Sequence, residues 1–447
     1  MACSYGDRGS LTVYCVNATT QFFKLAPYRF DHLDETLKCV NCSLASLDSG
    51  TFDISGNQIK ALDIRNSSIN KIWPKAFIGL IFMEKLLLSD NSIIAIYPGA
   101  FIGVRKVKYL ELENSGLANL ESYVFQELYL LEVLILRKNK FSLIRDKTFD
   151  GLNNLKILDL SFNQLVTLNN SFDPLVSLRV LKLHDNQITR IYGNEFSNLK
   201  SLLSLNLENN ILTNFTINIE PDNHLRILNL AKNKLTTDGI KMGSFQNLNN
   251  LEELDLSQNY IKNIPPKFFQ GLFLLRVLNL HHNKIRELST GTFTGLPHLM
   301  TLNVSSNYLE TAKVSGQLLL HSLHTLDLAD NNLKKFDYIE FIAQLPRIAS
   351  INLLGNDLPC ETFLEIETLF IDDNIRFLMS SNKPFEKCDN VLKTRKEILK
   401  KLVEDKFGQP NNETSAVIWI VLMCIIILAI AILFYVQFFI LYRMRTT

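Results

Sequence analysis

Leucine and asparagine recur along most of the chain in one fixed pattern. Residues 155–165 read LKILDLSFNQL and residues 275–285 read LRVLNLHHNKI, and both fit L-x-x-L-x-L-x-x-N-x-L. The asparagine position, called the asparagine column below, recurs every 23 to 26 residues. Its members are Cys42, Ser67, Asn91, Ser115, Asn139, Asn163, Asn186, Asn210, Asn233, Asn259, Asn283, Asn307, Asn331 and Asn356. Fourteen members predict about fourteen copies of one structural repeat.

The spacing inside each repeat predicts a short strand that ends in a turn. In L-x-L the two leucines point to one side of the strand, and the residue between them points to the other. Stacking one such strand per repeat in parallel buries the leucines in a continuous core. The column amide can both donate to and accept from backbone groups of the turn, and a serine can do part of this. The pattern therefore predicts a solenoid built on a parallel sheet.

A phenylalanine follows most column residues and confirms the register of the repeats. The members are Phe52, Phe77, Phe101, Phe125, Phe149, Phe172, Phe196, Phe245, Phe269, Phe293 and Phe341. We expect them to stack as an aromatic spine on the convex side. The series fails in the irregular segments 213–224 and 310–322, which are either imperfect repeats or bulges that bind a partner.

Over residues 33–358 these repeats resemble the leucine-rich-repeat family in its 24-residue extracellular form. The resemblance implies an α/β-type repeat solenoid, a horseshoe with a parallel concave sheet and a cap at each end. A narrower likeness is to arthropod surface proteins of this family. These are immune recognition proteins, Toll-like ectodomains without an intracellular part, and adhesion proteins of the connectin and chaoptin type.

Six of the seven cysteines flank the repeats, as the family's caps would require. The N-terminal cap covers residues 1–32, and its cysteines together with those of the first repeat are Cys3, Cys15, Cys39 and Cys42. Four cysteines allow three pairings, of which Cys3–Cys15 with Cys39–Cys42 is favoured. The C-terminal cap, residues 359–390, carries Cys360 and Cys388, which we expect to pair. The family's C-terminal cap usually carries four cysteines, so this one departs from the pattern.

The C-terminal part of the chain predicts attachment to a membrane. Residues 416–442 are almost wholly apolar and long enough to span a hydrocarbon core of about 30 Å as one helix. A removed lipid-anchor signal is the alternative. We expect residues 391–415 to form a juxtamembrane helix and linker, which packs on the cap or forms a short coiled coil. We expect residues 443–447 to form a short cytoplasmic tail without a signalling domain.

The flanking lysines and arginines do not decide which side the repeats face, and the start of the chain shows no signal peptide. The paired placement of the cysteines favours an oxidising compartment, so we expect the repeats outside the plasma membrane. Candidate glycosylation sites are Asn17, Asn66, Asn169, Asn214, Asn303 and Asn412, although this composition produces a similar number of sequons by chance.

No catalytic, metal or cofactor motif is present in the sequence, so we expect no enzyme and no cofactor. The 46 Lys and Arg balance 45 Asp and Glu, which predicts no nucleic-acid partner.

The residue between the two leucines of each strand points to the concave side and predicts where a partner binds. From Asn206 onward this residue is always Asn or Asp, which we interpret as a solvated default. Earlier repeats differ and carry exposed apolar residues bordered by charge, the composition of a binding surface. We call the following residues the N-terminal concave patch: Lys85, Leu87, Tyr109, Glu111, Glu113, Val133, Ile135, Arg137, Lys182 and His184.

Three functions fit this organisation. The first is a recognition protein or co-receptor, in innate immunity, that binds a protein or other macromolecular ligand and itself dimerises or joins a partner chain. The second is homophilic or heterophilic cell adhesion. The third is an intracellular tail-anchored scaffold, which requires reduced cysteines.

Overall fold

A parallel sheet runs through the whole repeat region of this computed structural model. The structure describes residues 3–5, 11–25, 34–53, 56–288, 291–311, 320–336 and 343–360, together with residues 362, 366, 376–378, 397–398 and 401. Fourteen repeat strands, separated by thirteen turns of the solenoid, follow one another in the sheet. They are Thr36–Val40, Ala61–Asp63, Lys85–Leu87, Tyr109–Glu111, Val133–Ile135, Ile157–Asp159, Val180–Lys182, Ser204–Asn206, Ile227–Asn229, Glu253–Asp255, Val277–Asn279, Thr301–Asn303, Thr325–Asp327 and Ser350–Asn352. The predicted repeat array and its register are confirmed.

Additional elements extend the sheet at both ends. Thr12–Val16 pairs in parallel with Thr36–Val40, and Cys3–Tyr5 pairs antiparallel with Thr12–Val16. The helix Thr20–Leu25 follows and buries Phe23. At the other end Arg376–Leu378 pairs with Ser350–Asn352.

The rest of each repeat returns mainly through turns. Three short strands, Ser46–Leu47, Lys71–Ile72 and Ala95–Ile96, form a second small parallel sheet. Two 3₁₀ helices cover Asn170–Phe172 and Asn194–Phe196. In the described repeats between residues 34 and 336, turns and 3₁₀ helices take the place of the α-helices that an α/β-type solenoid would have.

The asparagine column joins neighbouring repeats as the sequence predicts. Asn139 Oδ1 accepts from the backbone N–H groups of Ser115 and Leu117 at 3.1 and 3.0 Å. Its Nδ2 donates to the carbonyl oxygens of Leu112 and Leu136 at 2.8 and 3.0 Å. One buried amide therefore satisfies four backbone groups that would otherwise lie unpaired at the strand ends.

The phenylalanine spine is present, with one local change. Consecutive rings from Phe52 to Phe196 stack with centroids 5.9 to 6.4 Å apart. In the irregular segment 213–224 the buried Phe215 lies 6.1 Å from Phe245 and replaces the missing member from a different position in its repeat. Segment 213–224 thus contributes Phe215, Ile217 and Ile219 to the core, while many of its other residues are exposed. Most of segment 310–322, like Phe341, lies outside the described residues.

The cysteines of the N-terminal end are arranged differently from the favoured pairing. Cys3 and Cys15 form a disulfide across the antiparallel pair of strands. Cys39 and Cys42 are buried free thiols, so the expected Cys39–Cys42 bond is wrong for this structure. The reason is that both residues occupy repeat positions: Cys39 takes a leucine position, and Cys42 takes the column position and donates to the carbonyl of Cys15 at 3.4 Å.

The C-terminal predictions lie largely beyond the part that the structure describes. Cys360 is disulfide-bonded, but Cys388 is not among the described residues. The same holds for the predicted membrane segment 416–442 and for most of 391–415. Within the described residues, no helix is both long and apolar enough to span a membrane.

Candidate binding surface on the concave face

The N-terminal concave patch spans five neighbouring strands of the sheet, and its residues lie on or directly after four of them. Lys85, Tyr109 and Val133 are register partners, in that order. Leu87, Glu111 and Ile135 form the next row, which continues through Asp159 to Lys182. Residues that are far apart in sequence therefore form one continuous surface.

Most strands of the concave face carry an Asn or Asp that caps the strand end. The Oδ1 atom of each accepts a hydrogen bond of 2.8 to 3.3 Å from the backbone N–H two residues later. We call these nine residues the capping row: Asp63, Asp159, Asn206, Asn229, Asp255, Asn279, Asn303, Asp327 and Asn352. From Asn206 onward these side chains are partly exposed, and in addition to facing solvent they hold the backbone at the end of each strand.

Five strands lack this cap, and four of them lie in the N-terminal concave patch. The five residues at the capping position are Lys38, Leu87, Glu111, Ile135 and Lys182. Leucine, isoleucine and lysine side chains cannot accept a hydrogen bond. Glu111 can accept one, but its carboxylate binds Ser89 Oγ at 2.7 Å and the Tyr109 hydroxyl at 3.1 Å instead. The Glu113 N–H, which Glu111 leaves free, donates to Ser89 Oγ at 3.0 Å instead. At Leu87, Ile135 and Lys182 each missing side-chain cap forgoes about 1 kcal/mol of stability.

Tyr109 lies at the centre of the first part of the patch. Its ring lies 5.1 Å below the Lys85 ammonium, and its hydroxyl donates to Glu111. Partial burial and the adjacent Glu111 carboxylate raise the pKa of Tyr109 to about 12. The phenol is therefore neutral at physiological pH and acts as a hydrogen-bond donor.

Two cations share one carboxylate in the next part of the patch. Lys138 Nζ lies 2.9 Å from Glu113 Oε1, and Arg137 Nε lies 3.5 Å from the same oxygen. The Arg137 contact lacks hydrogen-bond geometry, so its buried Nε has no hydrogen-bond partner within the protein.

Phe162 belongs to this surface, and the sequence analysis missed it. Its side chain is 42% exposed, with the Arg137 guanidinium 5.5 Å from the ring centroid. The His184 ring packs edge-on at 5.2 Å, and His184 Nδ1 lies 2.7 Å from Asp185. Phe162 directly precedes the column residue Asn163, where most other repeats have a polar residue. That contrast was the signal that could have identified it.

One predicted patch residue is less exposed to solvent than its position on the concave face suggests. Leu87 is only 8% exposed, because neighbouring side chains on the concave face cover it. Val133 and Ile135 remain partly exposed and supply the accessible apolar area of the patch. Lys182 lies 3.4 Å from the buried carboxylate of Asp159, which ties the last patch strand to its neighbour.

The predicted glycosylation sites lie in different environments. Asn17, Asn66 and Asn214 are exposed, while Asn303 is a partly exposed member of the capping row. Asn169 caps a 3₁₀ helix through Oδ1 and donates through Nδ2 to Ile144 and Asp146, so its amide is fully engaged. Asn412 lies outside the described residues. In the part of the chain that the structure describes, no group of three or more His, Cys, Asp and Glu side chains could hold a metal ion.

Comparison with known proteins agrees with this architecture. The leucine rich repeat model matches residues 57–117, 105–165, 129–188, 223–285, 249–309 and 273–320. Together these matches cover more than half of the chain, so the chain belongs to the leucine-rich-repeat family. Proteins built from these repeats are typically non-enzymatic binding scaffolds. No curated protein matches the sequence.

Several solved structures share the fold. The TLR13–ssRNA13 complex is 25% identical with a TM-score of 0.66, and the match covers 81% of this chain and 56% of that one. The Drosophila Toll–Spätzle complex is 22% identical with a TM-score of 0.58, and covers 72% and 48%. The LRIM1/APL1C complex is 19% identical with a TM-score of 0.55, and covers 88% and 74%. The last two show the fold alone, and this chain spans about half the length of the TLR13 and Toll chains.

Proposed function

We propose that this chain is a recognition protein or co-receptor of the cell surface that binds a macromolecular ligand on the N-terminal concave patch. The observation that carries the proposal is that the capping position holds Leu87, Glu111, Ile135 and Lys182 instead of Asn or Asp. Nine strands keep an Asn or Asp at this position, and each bond contributes about 1 kcal/mol. Four nearly adjacent departures from a stabilising rule indicate that these positions serve binding instead.

The contacts within the patch support a protein partner. Tyr109, Arg137 and Phe162 are residue types that contribute most to protein interfaces, and they lie beside the apolar side chains of Val133 and Ile135. The charged residues around them are already paired, as Arg137 and Lys138 are with Glu113. Holding these side chains in place before binding reduces the entropy that association costs.

The solved neighbours make a macromolecular partner plausible without choosing its class. Two of them are complexes with proteins, Toll with Spätzle and LRIM1 with APL1C, and one is a complex with RNA. A role in innate immunity is part of the proposal for this chain.

The membrane topology is proposed from the sequence. Residues 416–442 would form the single span, with residues 1–415 outside the cell. The Cys3–Cys15 disulfide supports an oxidising compartment for the repeats. Expression of the full chain behind a signal peptide, followed by treatment with a glycan-removing enzyme, should change its mobility. An unchanged mobility, with every cysteine alkylated in the absence of reductant, would exclude the extracellular arrangement.

Site-specific photo-crosslinking on living cells tests the patch directly. A photoreactive amino acid is placed at Ile135, with matched positions at Asn279 on the same face and at Lys241 elsewhere on the surface. The proposal predicts a covalent adduct of defined mass at Ile135 only. Equal adducts at all three positions, or an adduct at Asn279 alone, would show that the patch is not the binding site.

A further inference from the structure

A row of alternating lysine and tyrosine lies at the side of the solenoid, beyond the end of the concave sheet. Lys234, Tyr260, Lys284 and Tyr308 each follow the column asparagine in four consecutive repeats. The backbone N–H of each donates to a carbonyl of the preceding repeat at 2.8 to 2.9 Å. The four residues are therefore in register, about one strand spacing of 4.8 Å apart.

Two further cations lie beside this row. Lys262 and Arg286 follow two residues after Tyr260 and Lys284, and the Arg286 N–H donates to the Lys262 carbonyl at 3.3 Å. We call the six residues the lateral stripe: Lys234, Tyr260, Lys262, Lys284, Arg286 and Tyr308.

The cations of the lateral stripe lack carboxylate partners. Within the residues that the structure describes, none of the four forms an ion pair, although Glu287 and Glu310 lie nearby in sequence. By contrast, Lys182 and Lys232 on the concave face each pair with an acidic residue, at 3.4 and 2.8 Å. Four unpaired cations on neighbouring repeats create a local positive potential that the nearly neutral whole chain does not reveal.

The tyrosine rings of the lateral stripe are open to solvent. Tyr260 is 43% exposed and Tyr308 is 50% exposed. The Lys284 ammonium lies 4.6 Å from the centre of the Tyr260 ring and holds that ring in place. Each ring therefore offers a flat apolar surface beside a positive charge.

We propose that the lateral stripe binds an extended acidic polysaccharide. Lys262 and Arg286 pair with its anionic groups, and a sugar ring packs on Tyr308. A polymer in which rings and anionic groups recur at regular intervals fits a surface in which rings and cations alternate. Lysine predominates here, whereas arginine, with its planar fork, is the residue preferred for phosphates of nucleic acids. This site is separate from the concave patch and does not depend on it.

Binding of a fluorescently labelled heparin oligosaccharide to the full chain in detergent tests the proposal. The variant Lys262→Glu with Arg286→Glu should weaken binding at least about tenfold, and Tyr308→Ala about threefold or more. The matched control, Lys241→Glu with Lys267→Glu, makes the same charge change at exposed lysines outside the stripe and should change binding less than about twofold. Raising the salt concentration should weaken binding by the parent protein.

Three outcomes would overturn the proposal. The first is that the control pair weakens binding as much as the stripe pair, which means that only overall charge matters. The second is that a labelled single-stranded oligonucleotide of equal charge binds more tightly, which assigns the stripe to nucleic acid. The third is that Tyr308→Ala has no effect while its melting temperature equals that of the parent protein.

Discussion

Asp159 and Lys182 are register partners on neighbouring parallel strands, and the Lys182 ammonium lies 3.4 Å from the Asp159 carboxylate. Asp159 also caps its own strand, because its Oδ1 accepts from the Ser161 N–H at 3.0 Å. Lys182 occupies the same position on the next strand but cannot accept such a bond. A capped strand and an uncapped strand therefore meet at the contact between Asp159 and Lys182.

Substitutions of Lys182 test whether a strand-end cap contributes to the stability of the protein. Lys182→Asn restores a cap for the His184 N–H, whereas Lys182→Gln has an amide that is one methylene too long for it. Both variants lose the contact with Asp159, so the difference between them isolates the cap. We expect the Asn variant to be more stable than the Gln variant by about 1 kcal/mol in urea unfolding. Equal stability would mean that the capping row does not stabilise the strands.

Substitutions in the asparagine column should lower stability far more than substitutions of the exposed residues next to it. Asn139→Ala leaves two N–H groups and two carbonyl groups without their partner, at a cost of about 1–3 kcal/mol for each group that stays unpaired. Asn139→Ser should cost less, because Ser115 already occupies this column. Hydrogen exchange at the Ser115 and Leu117 amides measures the effect locally. The exposed neighbour Lys140→Ala is the control and should leave these amides protected.

The free thiol of Cys39 should resist modification in the folded protein. A hydrogen bond with Cys42, together with burial, raises the pKa of the Cys39 thiol. A raised thiol pKa reduces the reactive thiolate. We expect a maleimide to leave Cys39 unmodified under native conditions and to modify both Cys39 and Cys42 after unfolding without reductant, while Cys3 and Cys15 stay bonded. Mass mapping that finds a Cys39–Cys42 disulfide would contradict the structure.

Tyr109 should ionise at a higher pH than a tyrosine in an unfolded chain. Its pKa is raised to about 12 by burial and by Glu111, so the folded state favours the neutral phenol. This contribution to stability is complete below about pH 10, where an unfolded tyrosine ionises, and is lost as the pH rises towards 12. The difference in phenolate absorbance between the parent and Tyr109→Phe reports this group. Glu111→Gln should move its pKa downward, and an unchanged titration would rule out the Tyr109–Glu111 contact.

Most of the fold could be predicted from the sequence because every repeat forms the same strand and the same turn. The spacing from Leu158 to Asn163 determines a strand and a turn, and fourteen copies make the register unambiguous. The thiol pairing could not be predicted in the same way. Cys39 and Cys42 fit a cap disulfide by sequence, but their repeat positions direct one into the core and the other to a backbone carbonyl.

The sequence predicted where the candidate site lies, but it did not predict that the residues around it cap the strand ends. Alternation along the strands placed Ile135 and Arg137 on the concave face, but it could not show that Asn279 caps a strand end. Whether a polar side chain is solvated or structural depends on backbone groups two residues away. Phe162 was missed because it lies in the turn, where strand alternation no longer applies.

The central claim is that the N-terminal concave patch binds the partner, and a pair of matched double variants tests it most directly. Ile135→Asp with Arg137→Glu changes the patch, whereas Asn279→Asp with Asp327→Asn changes the capped half of the same face and keeps both Oδ1 acceptors. Affinity for the partner identified by crosslinking is measured for both, with melting temperatures as the check on folding. The account predicts that the first pair weakens binding at least about tenfold, or 1.4 kcal/mol, while the second binds like the parent. Unchanged binding by the first pair, together with loss of binding by the second, would contradict it.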